Sequence, residues 1–260
     1  MGNDMKRIFP GYSRWCRQKY ILDRMSLRDL NTAYFTYPAI QTYILFLVVS
    51  VISAFYFMGP VTPVIISVTC GVVVYPIVWY LLHRFVLHGR WLYRSRHTAA
   101  LWKRVHYDHH QNPQDLAVLF GGLHTTLPTI FIVTFSLGWL ISGLAGACAA
   151  FATGLATTCF YEYCHCIQHL SYRSRLRFLR EIKRLHLAHH YYNEQGNFGI
   201  TNFICDRIMS TYYAETGSVP RSATVRNLGY TGEECDRYPW VAALTGDGAP
   251  IAAKTEHAGS

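Results

Sequence analysis

Ten of the thirteen histidines in this chain fall into four clusters. His83 and His88 form the first, His106, His109 and His110 the second, His165 and His169 the third, and His186, His189 and His190 the fourth. The second and fourth share one pattern: a His, two other residues, then two adjacent His. Helical positions three and four apart lie on one face, so each of these clusters is expected to aim three imidazoles at one point. His165 and His169, four apart, do the same with two. His83 and His88 are five apart, about 140° out of line on a regular helix. A widened turn, or a helix ending near Gly89, would let both face one centre. Packing does not explain repeated spacing of this kind, whereas metal ligation does.

One metal ion takes about four to six ligands, so ten imidazoles imply two ions. A structural zinc site needs only about four, usually including thiolates. The eight cysteines form no CxxC pair, and most read as buried free thiols. An all-imidazole set is neutral and leaves the charge of the metals less compensated. Imidazole suits iron, zinc and copper alike, so ligand type does not name the metal.

The elements that carry the clusters are greasy. Half of the chain is hydrophobic (51%) and only 15% is charged, too apolar for an ordinary soluble enzyme. Apolar runs cover 39–58, 61–82, 116–141 and 143–164, each long enough to approach or cross roughly 30 Å of hydrocarbon. Gly59-Pro60 separates the first two, and a turn is expected near 138–146 between the last two. Gly and Ala in the fourth run favour close helix approach in lipid.

The net charge of +9 is sorted along the chain. No Lys or Arg occurs between Asp29 and His83 or between Val105 and Tyr172. Charge sorted this way fits a membrane topology rather than a nucleic-acid face. Two hairpins would bring both termini and all four clusters to the basic, cytoplasmic side.

The expected fold is therefore all-α: an integral membrane four-helix bundle capped by a cytoplasmic helical region that carries a di-metal site. Residues 1–38 read as a basic amphipathic segment on the membrane surface, without a cleavable signal peptide. Residues 39–213 form the embedded domain, and 214–260 a polar tail that is partly disordered. No phosphate-binding Gly-rich loop or nucleotide fingerprint is present.

Ligands at the ends of membrane helices set the metals beside a bundle that can hold an acyl chain. Two redox metals there suit oxygen activation and attack on an unactivated C–H bond. A metal transporter is the non-enzymatic alternative, but transporters site ligands near the bilayer midplane. Glu162, three residues before His165, is the carboxylate deep in the apolar stretches. It is expected to hold a ligand imidazole by its second nitrogen. Asp108 is a candidate for the same work, and His124 for second-shell or substrate contact. His97 and His257 stand apart from the clusters. Tyr161, Tyr192 and Trp102 are candidates to line a lipid entrance.

The cluster order and spacing resemble the fatty acid hydroxylase superfamily of membrane di-iron oxygenases, over about 80–211. Tyr161-Glu162 before the third cluster, and Asn197-Phe198-Gly199 with Asp206 downstream, resemble it too. The first two clusters, with Arg84 and Phe85 inside the first, look most like its fatty acid 2-hydroxylase branch. The resemblance implies two iron ions, molecular oxygen as co-substrate and external electrons, with zinc an alternative occupant of the same ligands. It implies hydroxylation of a lipid acyl chain in the bilayer. Desaturation of a lipid or sterol and carotenoid hydroxylation are the neighbouring chemistries. Some eukaryotic members carry a fused haem domain with a His-Pro-Gly-Gly motif, which does not occur here. A separate ferredoxin- or cytochrome-type donor with its reductase is therefore expected, and no nucleic acid.

Overall fold

The computed structural model describes residues 19–244. The expectations for 1–18, and for 245–260 including His257, lie outside these residues. Among the described residues the fold is helical, with one isolated bridge between Ile21 and Asp115.

Helix α1 (Leu27–Thr36) opens on a capping box. Ser26 Oγ accepts from the Asp29 amide (3.2 Å), and the Asp29 carboxylate accepts from the Ser26 amide (3.0 Å). Two donors that the first turn leaves free are thus satisfied. Leu30, Ala33 and Tyr34 are its buried face. Tyr37 is extended, as a residue before proline prefers, and Pro38 starts the next helix at N1.

Among the described residues, three helices are long and apolar enough to cross a membrane: Pro38–Tyr56, Val61–Leu87 and Leu116–His169. The first two are α2 (Pro38–Tyr56) and α3 (Val61–Leu81), joined by the tight turn at Gly59-Pro60. Their outer faces expose Leu45, Ile52, Phe55, Ile65 and Val73. A water-soluble monomer would bury such a surface, whereas lipid covers it at no cost.

The third stretch covers both of the runs expected over 116–164. It spans 54 residues, nearly three times a membrane's needs at about 1.5 Å per residue, and helix is already interrupted at 120–122, between Leu116–Leu119 and Leu123–Ile130. It is not straight. Within α4 (Ser136–His169) the backbone leaves helical geometry at Ser142 and Gly143, where Gly143 has φ +57° and ψ −145°. Such a conformation is open essentially to glycine alone. Beyond it the chain doubles back, and a Cβ on Gly138 would strike the Gly146 carbonyl. Eight residues apart on one rod would be about 12 Å. Gly154 likewise sits against Ile130 and Thr134. The reversal falls inside the 138–146 stretch.

The core under this framework gathers Leu22, Leu30, Ile40, Tyr43, Leu116, Phe120, Leu155 and Leu170. It ties α1 to α2 and to the cluster-bearing end of α4. Helix α5 (Arg177–Tyr191) follows and carries the fourth cluster.

Residues 214–244, part of the segment expected as a polar tail, are packed. Val225, Leu228, Tyr230 and Val241 are buried. Trp240 Nε1 donates to the Tyr93 carbonyl at 2.7 Å. A few apolar anchors suffice to dock a segment whose overall composition is polar.

Candidate metal centre

The ten clustered histidines converge and sort into two groups of five. His83, His88, His106, His110 and His189 form one, and His109, His165, His169, His186 and His190 the other. Within each group the candidate ligand atoms all lie within 4.8 Å of one another.

Local helix geometry aims each cluster inward. The helix over His83 widens into a π turn, Leu82–Leu87, so that the His88 amide donates to the His83 carbonyl at 3.0 Å. An extra residue in the turn brings the five-residue spacing into line. A second π turn covers Lys103–Tyr107 and ends at the second cluster. His165 and His169 sit on the last turns of α4, and His186, His189 and His190 on α5.

One expectation is corrected here. The His-two-residues-His-His clusters do not aim three rings at one point. His106 and His110 go to the first group while His109 goes to the second. His186 and His190 go to the second while His189 goes to the first. Residues four apart are only about 40° apart around the axis, whereas adjacent ones are about 100° apart. Each such helix therefore lies between the centres and serves both.

The rings meet nitrogen to nitrogen. His106 Nε2 is 2.8 Å from His88 Nε2 and 3.2 Å from His83 Nε2. His109 Nε2 is 3.0 Å from His165 Nε2, and His169 Nε2 2.9 Å from His186 Nε2. A shared proton can serve one such pair but not five rings. Nε2 of His110, His189 and His190 has no partner among the described residues. Buried nitrogens without partners are costly, and a cation at each focus would satisfy them. Burial pushes His110 and His189 down to about 3, and lowers His88, His106, His109, His186 and His190 as well. They are held neutral, the form that ligates metal.

The outer nitrogens differ between the groups. In the first, Nδ1 donates to a backbone carbonyl from His83 (Phe198, 2.5 Å), His110 (Val225, 2.9 Å) and His189 (Gly196, 2.7 Å). Each bond fixes the tautomer that turns Nε2 inward. In the second, Nδ1 of His109, His169, His186 and His190 has no protein partner. Sequence reading could not find these carbonyls, because a main-chain acceptor carries no residue signature. The Val225 strap is the clearest case.

A cavity of about 190 Å³ opens beside both groups. His83 and His106 of the first, and His109, His165 and His186 of the second, stand in its wall. Leu87, Leu119, Val105 and Trp79 make most of the remainder apolar. Trp102 and Tyr161 are among its lining residues, whereas the Tyr192 hydroxyl donates to the Val219 carbonyl at 3.1 Å, away from it.

Glu162 is buried in the same wall with Oε2 unpaired. Its neighbour is the Gly121 amide, and it makes no hydrogen bond to any of the ten imidazoles. Helical spacing put it on the face of His165, but the loop at Gly121 arrives first. Asp108 pairs instead with Lys103 (2.6 Å). His124 and His97 are exposed, apart from both groups.

Known proteins resemble this chain over part of its length. A family model described as Fatty acid hydroxylase matches residues 68–211. The "Ceramide very long chain fatty acid hydroxylase SCS7" of Saccharomyces cerevisiae is 35% identical over 148 residues, 55% of this chain and 36% of that one. The "Fatty acid 2-hydroxylase" of Rattus norvegicus is 28% identical over 146 residues, 56% of this chain and 39% of that one. This chain thus spans little more than a third of the length of these two relatives. A solved structure titled "Full length scs7p (only hydroxylase domain visible)" superposes with a TM-score of 0.60 at 29% identity. It covers 73% of this chain and 69% of the other. With more than half its length matched by the family and its helices following a solved member, the chain belongs to the fatty acid hydroxylase family.

Proposed function

We propose that this chain is a membrane di-iron monooxygenase that hydroxylates a C–H bond of a lipid acyl chain or related apolar lipid. The observation that carries the reading is the apolar cavity whose wall includes imidazoles of both groups. The yeast and rat relatives, named for ceramide fatty acids and for 2-hydroxylation, support an acyl substrate.

The two five-histidine groups would each hold one iron, and the inward Nε2 atoms of His83, His110 and His189 are already turned for it. When bound, the irons supply reductive activation of O2, so that one oxygen atom enters the substrate and the other leaves as water. The protein's own part is selection and exclusion. Trp79, Leu87 and Trp102 give an acyl chain an apolar berth and keep water from it. The imidazoles in the wall decide which carbon lies nearest the ions. No side-chain acid or base is required at that carbon.

In this reading the apolar elements cross the membrane four times as two hairpins, α2 with α3 and the two arms about Gly143. Both termini and the metal centre then face the cytoplasm. Residues 39–213 are the embedded catalytic domain, with 1–38 on the membrane surface and 214–260 a polar C-terminal region. Electrons come from a separate ferredoxin- or cytochrome-type protein.

The test is turnover of the iron-loaded protein in lipid nanodiscs with O2 and a chemical reductant, followed by mass spectrometry of the lipids. A gain of one oxygen is expected. Loss of two hydrogens would make the enzyme a desaturase. Protein that retains two irons, is reduced, and oxidises no lipid would overturn the reading.

A further inference from the structure

The two histidine groups are not backed alike. His83 Nδ1 donates to the Phe198 carbonyl at 2.5 Å. The N–H of that same peptide unit, on Gly199, donates to Asp206 Oδ2 at 2.9 Å. A carboxylate and an imidazole thus hold the two ends of one amide. Asp206 is fully buried. Its other oxygen accepts from the Phe198 amide (2.8 Å) and the Thr211 hydroxyl (2.8 Å). Three donors and no hydrogen-bond acceptor meet its two oxygens, an arrangement that favours the anion against the cost of burial. Its countercharge arrives through a chain of hydrogen bonds. Arg84 donates to Tyr80 Oη (2.9 Å), and Tyr80 lies 2.9 Å from Thr211 Oγ1.

We propose that Asp206 tunes the first histidine group through the Phe198–Gly199 peptide, as a carboxylate–peptide–histidine relay, and so makes the two metal ions electronically unequal. An anion on the N–H end of an amide pushes electron density toward its carbonyl oxygen. The carbonyl becomes a stronger acceptor for His83 Nδ1–H, and Nε2 becomes a stronger donor to the metal. A carboxylate bonded directly to a ligating histidine has the same effect. Here one peptide is interposed.

The other carbonyls offer a comparison within the molecule. His189 donates to the Gly196 carbonyl, but the N–H of that peptide, on Asn197, goes to the neutral Thr211 carbonyl (2.9 Å). In the second group the Nδ1 atoms of His109, His169, His186 and His190 have no protein acceptor. The anionic relay ends on His83. Gly199 is needed for it, because a Cβ there would strike the Asn202 carbonyl and stand 3.0 Å from Asp206 Oδ2.

The inference rests on the reading that both groups hold iron, and the experiment separates the two. Asp206→Asn can keep the Oδ1 bonds to Phe198 and Thr211 while its amide nitrogen meets the Gly199 N–H donor to donor. Only the relay bond is lost. Thr211→Val removes a different partner of the same carboxylate, and with it the link to Tyr80 and Arg84, but leaves the anion on the Gly199 N–H. Each full-length protein is purified in detergent, loaded with isotopically enriched iron and examined by Mössbauer spectroscopy in the diferrous state.

Two unequal doublets of equal area are expected for the unaltered protein. In Asp206→Asn one doublet should move and the other stay, with one ion retained about ten- to hundredfold less tightly. Thr211→Val, which keeps the anion on the Gly199 N–H, should neither loosen that ion nor reproduce the shift of Asp206→Asn. If both doublets of Asp206→Asn stay, or both move together, or Thr211→Val reproduces the shift, Asp206 is not a relay. Should Asp206→Asn fail to fold, the unaltered protein still decides, because a single symmetric doublet overturns the inequality. Unaltered protein that binds no iron pair overturns the function proposed above, and the relay with it.

Discussion

His109 and His110 are neighbours in the chain, yet their imidazoles belong to different centres. The ring centroids stand 6.2 Å apart with planes at 75°. His109 joins His165, His169, His186 and His190, whereas His110 joins His83, His88, His106 and His189. The short helix that carries them is a wall shared by two sites. Adjacent residues on a helix diverge by about 100°, so a His-His pair is a natural divider between two ions.

Substituting either neighbour should therefore cost a different ion. His109→Ala is expected to empty the second group and His110→Ala the first, each leaving about one iron per chain and no hydroxylation. His97→Ala and His124→Ala, on exposed rings, should keep both ions and full activity. Iron content with the Mössbauer pattern of each variant is the check, and loss of metal from His97→Ala would contradict the ligand sets.

The strap at 222–230 should matter to the first group alone. Arg226 donates to the His110 carbonyl at 3.1 Å and lies 4.7 Å over the Tyr191 ring. The next carbonyl back, Val225, holds His110 Nδ1. Arg226→Ala is expected to weaken retention of the first ion by about tenfold, in line with the loss of a ligand's outer support. The second ion should be unaffected, as read by competition with a chromophoric chelator.

Filling the cavity should separate substrate binding from metal binding. Thr129 lines it from the membrane side of the third apolar stretch. Thr129→Phe should lower kcat/KM for a long-chain lipid by about tenfold or more while both ions remain. Unchanged turnover of every chain length would place the substrate elsewhere.

At the hairpin, Gly143 has open space around it but a positive φ, while Gly138 has no space. Gly143→Ala should cost about 1–3 kcal/mol in backbone strain alone, seen as a lower thermal midpoint with normal iron content per folded protein. Gly138→Leu should do more harm, since it forces the two arms apart and displaces α4, which carries His165 and His169. A Gly138→Leu protein as stable as the unaltered one would mean that the arms are not held at this distance.

Much of this site is written in short-range spacing. His165 with His169 and His186 with His190 share faces because four residues make just over one turn, and the structure keeps both pairs together. The widened turn that His83 and His88 require is present as well. The apolar runs, the Gly59-Pro60 turn and the reversal near Gly143 follow from local hydropathy and from glycine's access to positive φ.

Other relationships depend on how separate elements cross, and no local pattern contains that. Glu162 has the right spacing to support His165, but the Gly121 loop reaches it from another part of the chain. The partition of His109 from His110, the Val225 strap on His110, and the Asp206 anion behind His83 join residues as many as 115 positions apart. The sequence by itself determined which side chains could bind metal and which helices would carry them, because periodicity is a property of one helix. Only the tertiary structure decided which ring serves which ion and what stands behind it, because those contacts arise when several helices pack at angles that none of them specifies alone.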